Sequence, residues 1–457
     1  MICLPTVSGA ACARSARLSV AMAIAAIGLA HPALAEASNP AAAGLEQPVP
    51  YPKPLPFRLG NPPGGADEAT REKAKAASAK ARADRELRRM IGQMLLVGFH
   101  GQSKGSAYVQ RLLGEIRTGD VGGVILMERN IDRAPQIKRL VDLIKQAAAK
   151  QPPLLIGIDQ EGGAVQRLRS RQGVRRFSSA WMLARGGDIN KARQTYESIA
   201  KDLARRGINL NFGPVVDLRI NQRNPIIARM NRSYGRNAEN VAAFARIFID
   251  AHRKYGILTC AKHFPGHGSS LSDSHKGFVD ITKTWKEVEL EPYTLLRGTG
   301  HLEMVMTGHL YHERLSDEGR WPATLSRAAI DGLLRSQVGY RGAVITDDLS
   351  MGAIRRNHTV KEAVVRSVLA GNDILLMSSP ARSGETISKT IREILIAAVA
   401  DGTIPRSRIA ASYHRIRELK RGLALNSLRP TKPSAPIASG AKPEPAPQPE
   451  RNPRNPG

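Results

Sequence analysis

The sequence predicts an α/β protein whose folded domain is a single (β/α)8 barrel of the TIM type. Short apolar runs recur eight times, and each is followed by a polar or glycine-containing turn and then by a helical stretch. Strands that alternate with helices form right-handed βαβ units and a parallel sheet, and eight such units close a barrel. Polar residues suited to chemistry come directly after several runs, where barrels of this kind carry their active sites. The runs are Met94–Phe99, Gly123–Met127, Leu154–Ile158, Leu210–Val216, Ile257–Ala261, Met304–Thr307, Ala343–Thr346 and Ile374–Met377.

The start of the 457-residue chain has the pattern of a secretory signal peptide. Arg14 and Arg17 precede an apolar segment at 18–29, and Ala33-Leu-Ala35 supplies small residues for cleavage. We therefore predict that residues 1–35 are a signal peptide and that the protein is periplasmic or secreted. An uncleaved anchor remains an alternative, although the apolar segment is short for a membrane span. After cleavage no stable membrane span is expected.

Pro-rich segments stand on both sides of the predicted domain. Residues 36–66 and 426–457 are rich in proline, alanine and glycine, which is typical of extended, disordered tethers. We predict a linker for the first segment and a disordered tail for the second. The intervening residues 67–425 have the length of one large domain.

Composition limits the classes of partner. The net charge is +28, so the surface should attract anionic polymers such as those of the cell wall, although a solvated basic surface with no dedicated partner fits equally well. Nucleic acid is disfavoured because aromatic residues make up 4% of the chain and no stacking or zinc-ribbon motif appears. Only Cys260 lies outside the predicted signal peptide, which excludes a disulfide framework.

The densest group of chemistry-bearing residues is 262–275, which reads Lys-His-Phe-Pro-Gly-His-Gly-Ser-Ser-Leu-Ser-Asp-Ser-His. Its proline and glycines exclude a helix, so it is predicted as a polar loop that follows a buried strand at 256–261. Asp273 stands two residues before His275, close enough to orient the imidazole and raise its basicity. This arrangement indicates a tuned general acid/base.

This stretch resembles the signature of family 3 glycoside hydrolases, in particular the β-N-acetylglucosaminidase branch. Members of that branch are similar in Lys-His-Phe-Pro-Gly-His-Gly followed by Asp-x-His, and they use a His–Asp pair as acid/base in place of a lone carboxylic acid. The resemblance extends over roughly residues 90–425 and implies a barrel domain that acts on GlcNAc-containing glycans without a cofactor. One departure is the Lys-Gly-Phe-Val after His275, where family members often have Leu-Pro.

The nucleophile implied by the resemblance is Asp347. It lies in Val-Ile-Thr-Asp-Asp-Leu-Ser-Met at the end of the seventh run, and it would form a covalent glycosyl-enzyme with overall retention. Asp348 is its neighbour, and strand alternation should send the two side chains to opposite sides. The alternative is a surface pair that caps the next helix.

Five further residues are implied as sugar-binding groups. In Ile-Asp-Gln-Glu-Gly-Gly-Ala-Val-Gln-Arg the resemblance assigns Asp159 and Arg167, and in Asn-Arg-Ser-Tyr-Gly it assigns Arg232. Lys262 and His263 match the Lys-His pair that holds substrate hydroxyls in the family. A carboxylate accepts paired hydroxyl donors and an arginine fork fixes the edge of a ring, so these residue types suit a sugar.

A metal site and a serine hydrolase are the alternatives that other residues of the sequence suggest. The side chains of His263, His267, Asp273 and His275 are zinc ligands by type, but no metal-binding spacing supports them. Ser103 lies in Gly-Gln-Ser-Lys-Gly after a predicted strand, which fits the nucleophile elbow of a serine hydrolase, although such short patterns recur by chance.

The sequence thus predicts a monomeric, retaining exo-β-N-acetylglucosaminidase that uses no metal or other cofactor. Its substrate would be terminal β-linked GlcNAc, with peptidoglycan fragments as the leading source. A glycoside phosphorylase, a β-glucosidase on the same barrel, and a non-catalytic barrel that binds the cell wall are the alternatives.

Overall fold

Strands and helices alternate through the described part of the chain, which comprises residues 68–379 and 385–424 of a computed structural model. The predicted signal peptide at 1–35, the linker at 36–66 and the tail at 426–457 lie outside the described residues. Within the described part, no helix combines the length and the apolar character that crossing a bilayer would need.

The strands are short and mostly buried. They are β1 (Leu95–Val97), β2 (Gly123–Ile125), β3 (Leu155–Ile158), β4 (Gln160–Gly162), β5 (Val165–Gln166), β6 (Leu210–Asn211), β7 (Leu258–Thr259), β8 (Ala261–Phe264), β9 (Met304–Thr307), β10 (Ala343–Thr346) and β11 (Leu375–Met377). Each of the eight predicted apolar runs contains one of them. Strands covered on both faces read as continuous apolar segments, which is why the runs were visible in the sequence.

Helices follow most strands. They are α1 (Glu68–Gln93), α2 (Ala107–Thr118), α3 (Ala134–Ala147), α4 (Ala180–Gly186), α5 (Ile189–Arg205), α6 (Ala238–Arg253), α7 (Glu291–Gly298), α8 (Gly352–Arg355), α9 (Val360–Ala370), α10 (Ile387–Ala400) and α11 (Arg406–Ala424), with a π-helical segment at Ala328–Gln337.

Helix α5 shows how local sequence fixes one of these elements. The Asp188 side chain accepts a hydrogen bond from the backbone N–H of Lys191 at 2.9 Å and so caps the start of the helix. Buried residues recur with helical spacing at 192, 196, 199, 200 and 203, which gives one apolar face. That face packs on α6, where the rings of Tyr196 and Phe248 lie 4.9 Å apart.

The strands form two parallel sheets rather than one closed barrel. One sheet has six strands in the order β11-β1-β2-β3-β6-β7, the other has the order β10-β9-β8, and β4 and β5 form a separate antiparallel pair. Single bridges join the two sheets, between Val215 and Lys262 and between Ile345 and Ile374. The predicted parallel α/β architecture is therefore confirmed, whereas the predicted closed ladder of eight strands is not formed.

The two sheets meet at two places, and at each the ladder of hydrogen bonds is broken for a local reason. At the first, the strand is interrupted at Cys260, so that β7 pairs with β6 while β8 pairs with β9. At the second, between β10 and β11, the backbone N–H groups of Asp373 and Ile374 both donate to the carbonyl of Val344, at 2.7 and 3.0 Å. This shared acceptor leaves one bridge between β10 and the residue before β11.

The segment 262–275 departs from the prediction at its start. Lys262 and His263 were expected in a loop, but they lie inside β8, and the strand ends only where Pro265 follows Phe264. The carbonyl of Lys262 accepts a hydrogen bond from the N–H of Val216 at 2.9 Å. This contact comes from the segment after β6, far away in the sequence, so tertiary pairing extends the strand further than the local sequence indicates.

Candidate active site

One cavity of about 420 Å³ lies at the carboxyl ends of the parallel strands. It is lined by all eight residues that the sequence predicted as catalytic or sugar-binding: Asp159, Arg167, Arg232, Lys262, His263, Asp273, His275 and Asp347. These residues come from widely separated segments. Parallel strands present their carboxyl ends at the same edge, which explains why the segments that follow them meet here.

A buried network of charges forms one wall. The Lys262 Nζ lies 3.1 Å from Asp159 Oδ1 and 2.8 Å from Glu161 Oε1. Arg232 makes a bidentate pair with Glu161, with Nε–Oε2 at 2.9 Å and Nη2–Oε1 at 2.8 Å. Arg167 Nη2 reaches the second oxygen of Asp159 at 3.3 Å. Each charge is therefore paired, as the interior of a protein requires.

These pairs keep the groups of this wall ionised. Burial opposes the charge of Glu161, but Arg232 and Lys262 outweigh it and hold the pKa of that carboxyl far below its ordinary value. Burial likewise opposes the charge of Asp159, and Lys262 and Arg167 lower its pKa. The two carboxylates in turn raise the pKa of Lys262 against the effect of its burial. The wall therefore offers fixed anions and cations to a polar ligand.

His263 is held by a buried carboxylate, Asp217. The His263 Nδ1 lies 2.7 Å from Asp217 Oδ2, and the other oxygen accepts the backbone N–H groups of His263 and His267 at 3.1 and 2.8 Å. Burial would raise the pKa of Asp217, but His263 and His267 lower it. The ionised Asp217 accepts a hydrogen bond from the Nδ1–H of His263, so the imidazole presents Nε2 for other contacts.

Asp347 follows β10 and is partly exposed to the cavity. Its Oδ1 accepts the backbone N–H of Asp348 at 2.8 Å. Burial would raise the pKa of Asp347, but His309, His263 and His275 together with that N–H lower it to about 2. Asp347 is therefore an ionised carboxylate at neutral pH, which is the form a nucleophile needs.

Asp348 also lines the cavity, so strand alternation does not hide it completely. Its oxygens are occupied, however. Oδ1 accepts the Ser350 hydroxyl at 2.6 Å and the backbone N–H of Ser378 at 2.9 Å, while Oδ2 accepts the Ser378 hydroxyl. These bonds tie the loop after β10 to the end of β11, and they distinguish Asp348 from Asp347.

His275 and Asp273 stand at the rim. Asp273 Oδ1 accepts the backbone N–H of His275 at 2.9 Å and lies 2.8 Å from its Nδ1. Burial would raise the pKa of Asp273, but both contacts with His275 lower it. The imidazole is 60% exposed, so water or a ligand can reach it. Its loop is attached to α8, where the N–H of Gly352 donates to the His275 carbonyl at 3.3 Å.

The residues of the two alternative sites, the metal site and the serine nucleophile, lie in the described part of the chain. Among residues 68–379 and 385–424, no group of three or more metal-type side chains could hold an ion. The two ring nitrogens of His267 engage the hydroxyls of Ser270 and Ser274 at 2.6 and 3.2 Å. Ser103 lies on the exposed turn after β1, and it is not part of the cavity lining.

Three acidic residues in or beneath this site were not singled out from the sequence. Glu161 is two residues after Asp159 in the same motif, and Asp217 directly follows a predicted strand, so both carried a positional signal. Glu289 carried none. It is buried beneath the segment after β8, where its Oε2 accepts the N–H of Gly268 at 3.0 Å. Burial raises the pKa of Glu289 to about 7.

Comparison with known proteins places the chain in a family. Residues 86–419 match the family described as glycosyl hydrolase family 3 N terminal domain. The match covers well over half of the chain, so the chain belongs to glycosyl hydrolase family 3, as its sequence predicted. The matched residues fall inside the predicted domain at 67–425, whose boundaries stay a prediction.

Individual relatives agree with the predicted branch. A β-hexosaminidase A from Pseudoalteromonas piscicida is 31% identical over 74% of this chain and 61% of its own length. A β-hexosaminidase from Tolumonas auensis is 36% identical over 57% of this chain and 76% of its own. The solved family 3 β-N-acetylglucosaminidase from Paenibacillus sp. str. FPU-7 has a TM-score of 0.68 at 34% identity, over 78% of this chain and 65% of the other. This chain thus spans less than two thirds of the first and the third of these proteins.

Proposed function

We propose that the protein is a retaining exo-β-N-acetylglucosaminidase that releases terminal β-linked GlcNAc from glycans. The observation that carries the proposal is the meeting of an ionised carboxylate, an exposed His–Asp pair and a wall of paired charges in one cavity. The β-hexosaminidase relatives support the same activity.

In the first step, Asp347 attacks the anomeric carbon and forms a glycosyl ester as the bond to the leaving group breaks. His275 gives its proton to the departing oxygen. Asp273 holds the imidazole through its Nδ1, so that Nε2 is the ring nitrogen left to face the departing oxygen. The low pKa of Asp347 keeps the nucleophile ionised while the histidine carries the proton.

In the second step, water attacks the glycosyl-enzyme, and the neutral His275 removes its proton. The exposure of the imidazole supports this role because the incoming water must reach it after the leaving group has gone. Two inversions at the anomeric carbon give overall retention.

The sugar itself would be held by the charged wall. Asp159 accepts hydroxyl donors, Lys262 and Arg167 donate to hydroxyl oxygens, and His263 presents its Nε2. We propose a supporting part for Arg232. Its Nε and Nη2 are used by Glu161 and its Nη1 donates to the Ile226 carbonyl at 3.1 Å, so it fixes the wall more than it reaches into the cavity.

Export and charge suggest the natural substrate. A predicted signal peptide would carry the protein to the periplasm or the medium, and a net charge of +28 would hold it near anionic cell-wall polymers. Peptidoglycan fragments ending in GlcNAc are therefore the proposed substrates.

Phosphorolysis is a second candidate within the same site. A neutral histidine does not repel an incoming phosphate as a carboxylate would, and His275 is exposed enough for phosphate to approach. Analysis of the products with and without phosphate separates the two reactions, because GlcNAc 1-phosphate forms only in the second.

A panel of 4-nitrophenyl glycosides tests the activity. We expect release of nitrophenol from the β-GlcNAc compound and little from the β-glucoside or the α-anomers, with the activity removed in Asp347→Ala. Hydrolysis of the β-glucoside but not of β-GlcNAc would reject the proposed branch.

A further inference from the structure

His309 is a buried side chain close to the candidate nucleophile, and the proposed mechanism does not use it. It stands two residues beyond the end of β9 and is not among the described residues that line the cavity. Both of its ring nitrogens have partners, since Nε2 lies 2.9 Å from the carbonyl oxygen of Asp348 and Nδ1 lies 3.0 Å from the hydroxyl oxygen of Thr324. A buried ring held at both nitrogens keeps one orientation and can fix its neighbours in turn.

The protons of this ring have defined places. A carbonyl oxygen only accepts hydrogen bonds, so Nε2 carries a proton and donates to Asp348. Burial lowers the pKa of His309, although the Asp347 carboxylate opposes this, and the neutral ring has no second proton at Nδ1. Nδ1 therefore accepts a hydrogen bond from the Thr324 hydroxyl, which selects the tautomer that donates to Asp348.

Thr324 is itself held from a distant part of the chain. It lies in the short 3-10 helix Ala323–Leu325, where the Asn372 side chain donates to its carbonyl at 2.8 Å. The amide oxygen of Asn372 also accepts the hydroxyl of Thr307, the last residue of β9, at 2.9 Å. Thr307, Thr324 and Asn372 are all fully buried. The ring of His309 is thus supported by contacts among three segments of the fold.

Asp348 connects His309 to the nucleophile. Its backbone N–H donates to Asp347 Oδ1 at 2.8 Å, and its carbonyl accepts from His309. On the other side, the N–H of Asp347 donates to the Thr307 carbonyl at 2.9 Å. The Asp347 carboxylate is therefore aimed by backbone that β9 holds at one end and His309 holds at the other. Without the imidazole, the Asp348 carbonyl has lost this donor and the backbone beside the nucleophile has lost an anchor.

We infer that His309 is a positioning residue for the nucleophile, whose Nε2–H holds the carbonyl of Asp348 and so keeps the Asp347 carboxylate aimed at the anomeric carbon. The inference rests on the proposed glycosidase function and adds to it a residue that acts without touching the sugar. Because the sugar ring is held by the charged wall, His309 should affect the bond-making step and leave sugar binding unchanged. A misplacement of about 1 Å at a reacting group is enough to slow a reaction by about 10²-fold.

The test compares His309→Ala with His309→Gln on a nitrophenyl β-GlcNAc. His309→Ala should lower kcat/KM by about 10²-fold, and it should slow inactivation by a fluorinated GlcNAc by the same factor, because both report attack by Asp347. The inhibition constant of free GlcNAc should stay within about twofold of the wild-type value. His309→Gln, whose amide N–H reaches the place of Nε2, should recover about tenfold of the loss in kcat/KM.

His309→Asn and two changes at Thr324 test the direction of the hydrogen bonds. The asparagine amide is too short to reach Asp348, so His309→Asn should lose as much activity as His309→Ala while it keeps a polar group in the buried site. Thr324→Val keeps the shape and removes the hydroxyl, so kcat/KM should fall by about fivefold, as expected for the loss of one neutral hydrogen bond. Thr324→Ser keeps the hydroxyl and should stay within about twofold of the wild-type protein.

His301→Ala is the matched control. This buried histidine precedes the other end of β9, with Nδ1 3.0 Å from the Thr299 hydroxyl and Nε2 3.0 Å from the Asp250 carboxylate. Its removal should lower the Tm as the loss of His309 does, but it should leave kcat/KM unchanged.

Three results would overturn the positioning role: equal losses in His309→Gln and His309→Asn, a GlcNAc inhibition constant that rises with the loss of kcat/KM, or a loss of the same size in His301→Ala. The comparison of His309→Gln with His309→Asn decides the matter even if His309→Ala does not fold. A wild-type protein that does not hydrolyse nitrophenyl β-GlcNAc would instead refute the proposed glycosidase function.

Discussion

The histidines of the site differ most in what surrounds them. His263 is buried and fixed by Asp217, and His309 is fixed by the hydroxyl of Thr324 at 3.0 Å and the carbonyl of Asp348 at 2.9 Å. Of these three histidines, His275 alone is mainly exposed, and its Nδ1 contacts the carboxylate of Asp273. A group that exchanges protons with leaving groups and water needs this access, so these surroundings favour His275 as the acid/base.

We predict that His275→Ala depends strongly on the leaving group. A glycan alkoxide needs a proton as its bond breaks, whereas a dinitrophenolate needs little help, so kcat/KM should fall by roughly 10²-fold or more on a disaccharide and far less on a dinitrophenyl β-GlcNAc. Steady-state kinetics on the two substrates measures the difference.

Azide provides the control for this prediction. It needs no general base, so it should speed turnover of the activated substrate by His275→Ala and yield a β-glycosyl azide. Asp273→Asn should show a weaker form of the same behaviour, because the imidazole keeps its place and loses its charge partner. Equal losses on both substrates without an azide effect would give His275 a structural role instead.

At the scale of elements, the segment after β8 positions much of the site and rests on a buried acid. A side chain at Gly266 would meet the Glu289 side chain at 2.6 Å, and the Gly268 N–H donates to the same carboxyl group. Glycine is therefore required where this segment crosses Glu289. Burial of the carboxyl group outweighs its hydrogen bonds from Ser269 and Gly268, so its pKa is raised and the protonated form is favoured.

Glu289→Gln should change the pH dependence of stability. The pKa of Glu289 rises from 4.5 to about 7 on folding, so the folded state binds its proton more tightly than the unfolded state. That contribution is complete below about pH 4.5 and is lost as the pH rises to about 7, by about 3 kcal/mol in the free energy of unfolding.

Urea denaturation of both proteins between about pH 4.5 and 7.5 checks this sign. The wild-type protein should lose stability relative to Glu289→Gln as the pH rises, while the other titrating groups cancel in the comparison. A constant difference between the two proteins across this range would show that Glu289 is ionised in the folded state.

The elements also show which features a sequence can predict. Asp159 and Asp347 were predictable because each directly follows an apolar run. The residue after a parallel strand lies at the carboxyl edge of the sheet, where the active site of such a fold is found. The pairing of Lys262 with Glu161 and of His263 with Asp217 was not predictable, since segments distant in the chain bring these partners together. The sequence predicted one strand at 256–261 and a loop from Lys262 on, because the interruption at Cys260 and the extension of β8 to Phe264 arise from pairing with β6 on one side and β9 on the other.

For the whole molecule, the main feature is the large positive charge. It acts over distances longer than any single contact and is screened by salt, with a Debye length of about 8 Å at physiological ionic strength. The charge should therefore govern attachment to anionic polymers, whereas the paired charges inside the cavity are shielded from added ions.

Salt should separate these two effects. Raising ionic strength from about 0.05 M to about 0.5 M should weaken adsorption to insoluble peptidoglycan by roughly tenfold or more and change kcat/KM on nitrophenyl β-GlcNAc by less than about twofold. A sedimentation assay beside a kinetic assay in the same buffers measures both. Adsorption that does not respond to salt would indicate a specific binding site in place of the general charge.

The central claim is that Asp347 forms a covalent bond to the sugar in the cavity. A fluorinated GlcNAc that forms the glycosyl-enzyme quickly and releases it slowly should inactivate the wild-type protein, and peptide mass spectrometry should find the added sugar on Asp347. Asp347→Ala should remain unlabelled. A label on Asp348, or turnover that yields no covalent adduct and releases the α-anomer of GlcNAc first, would contradict the account.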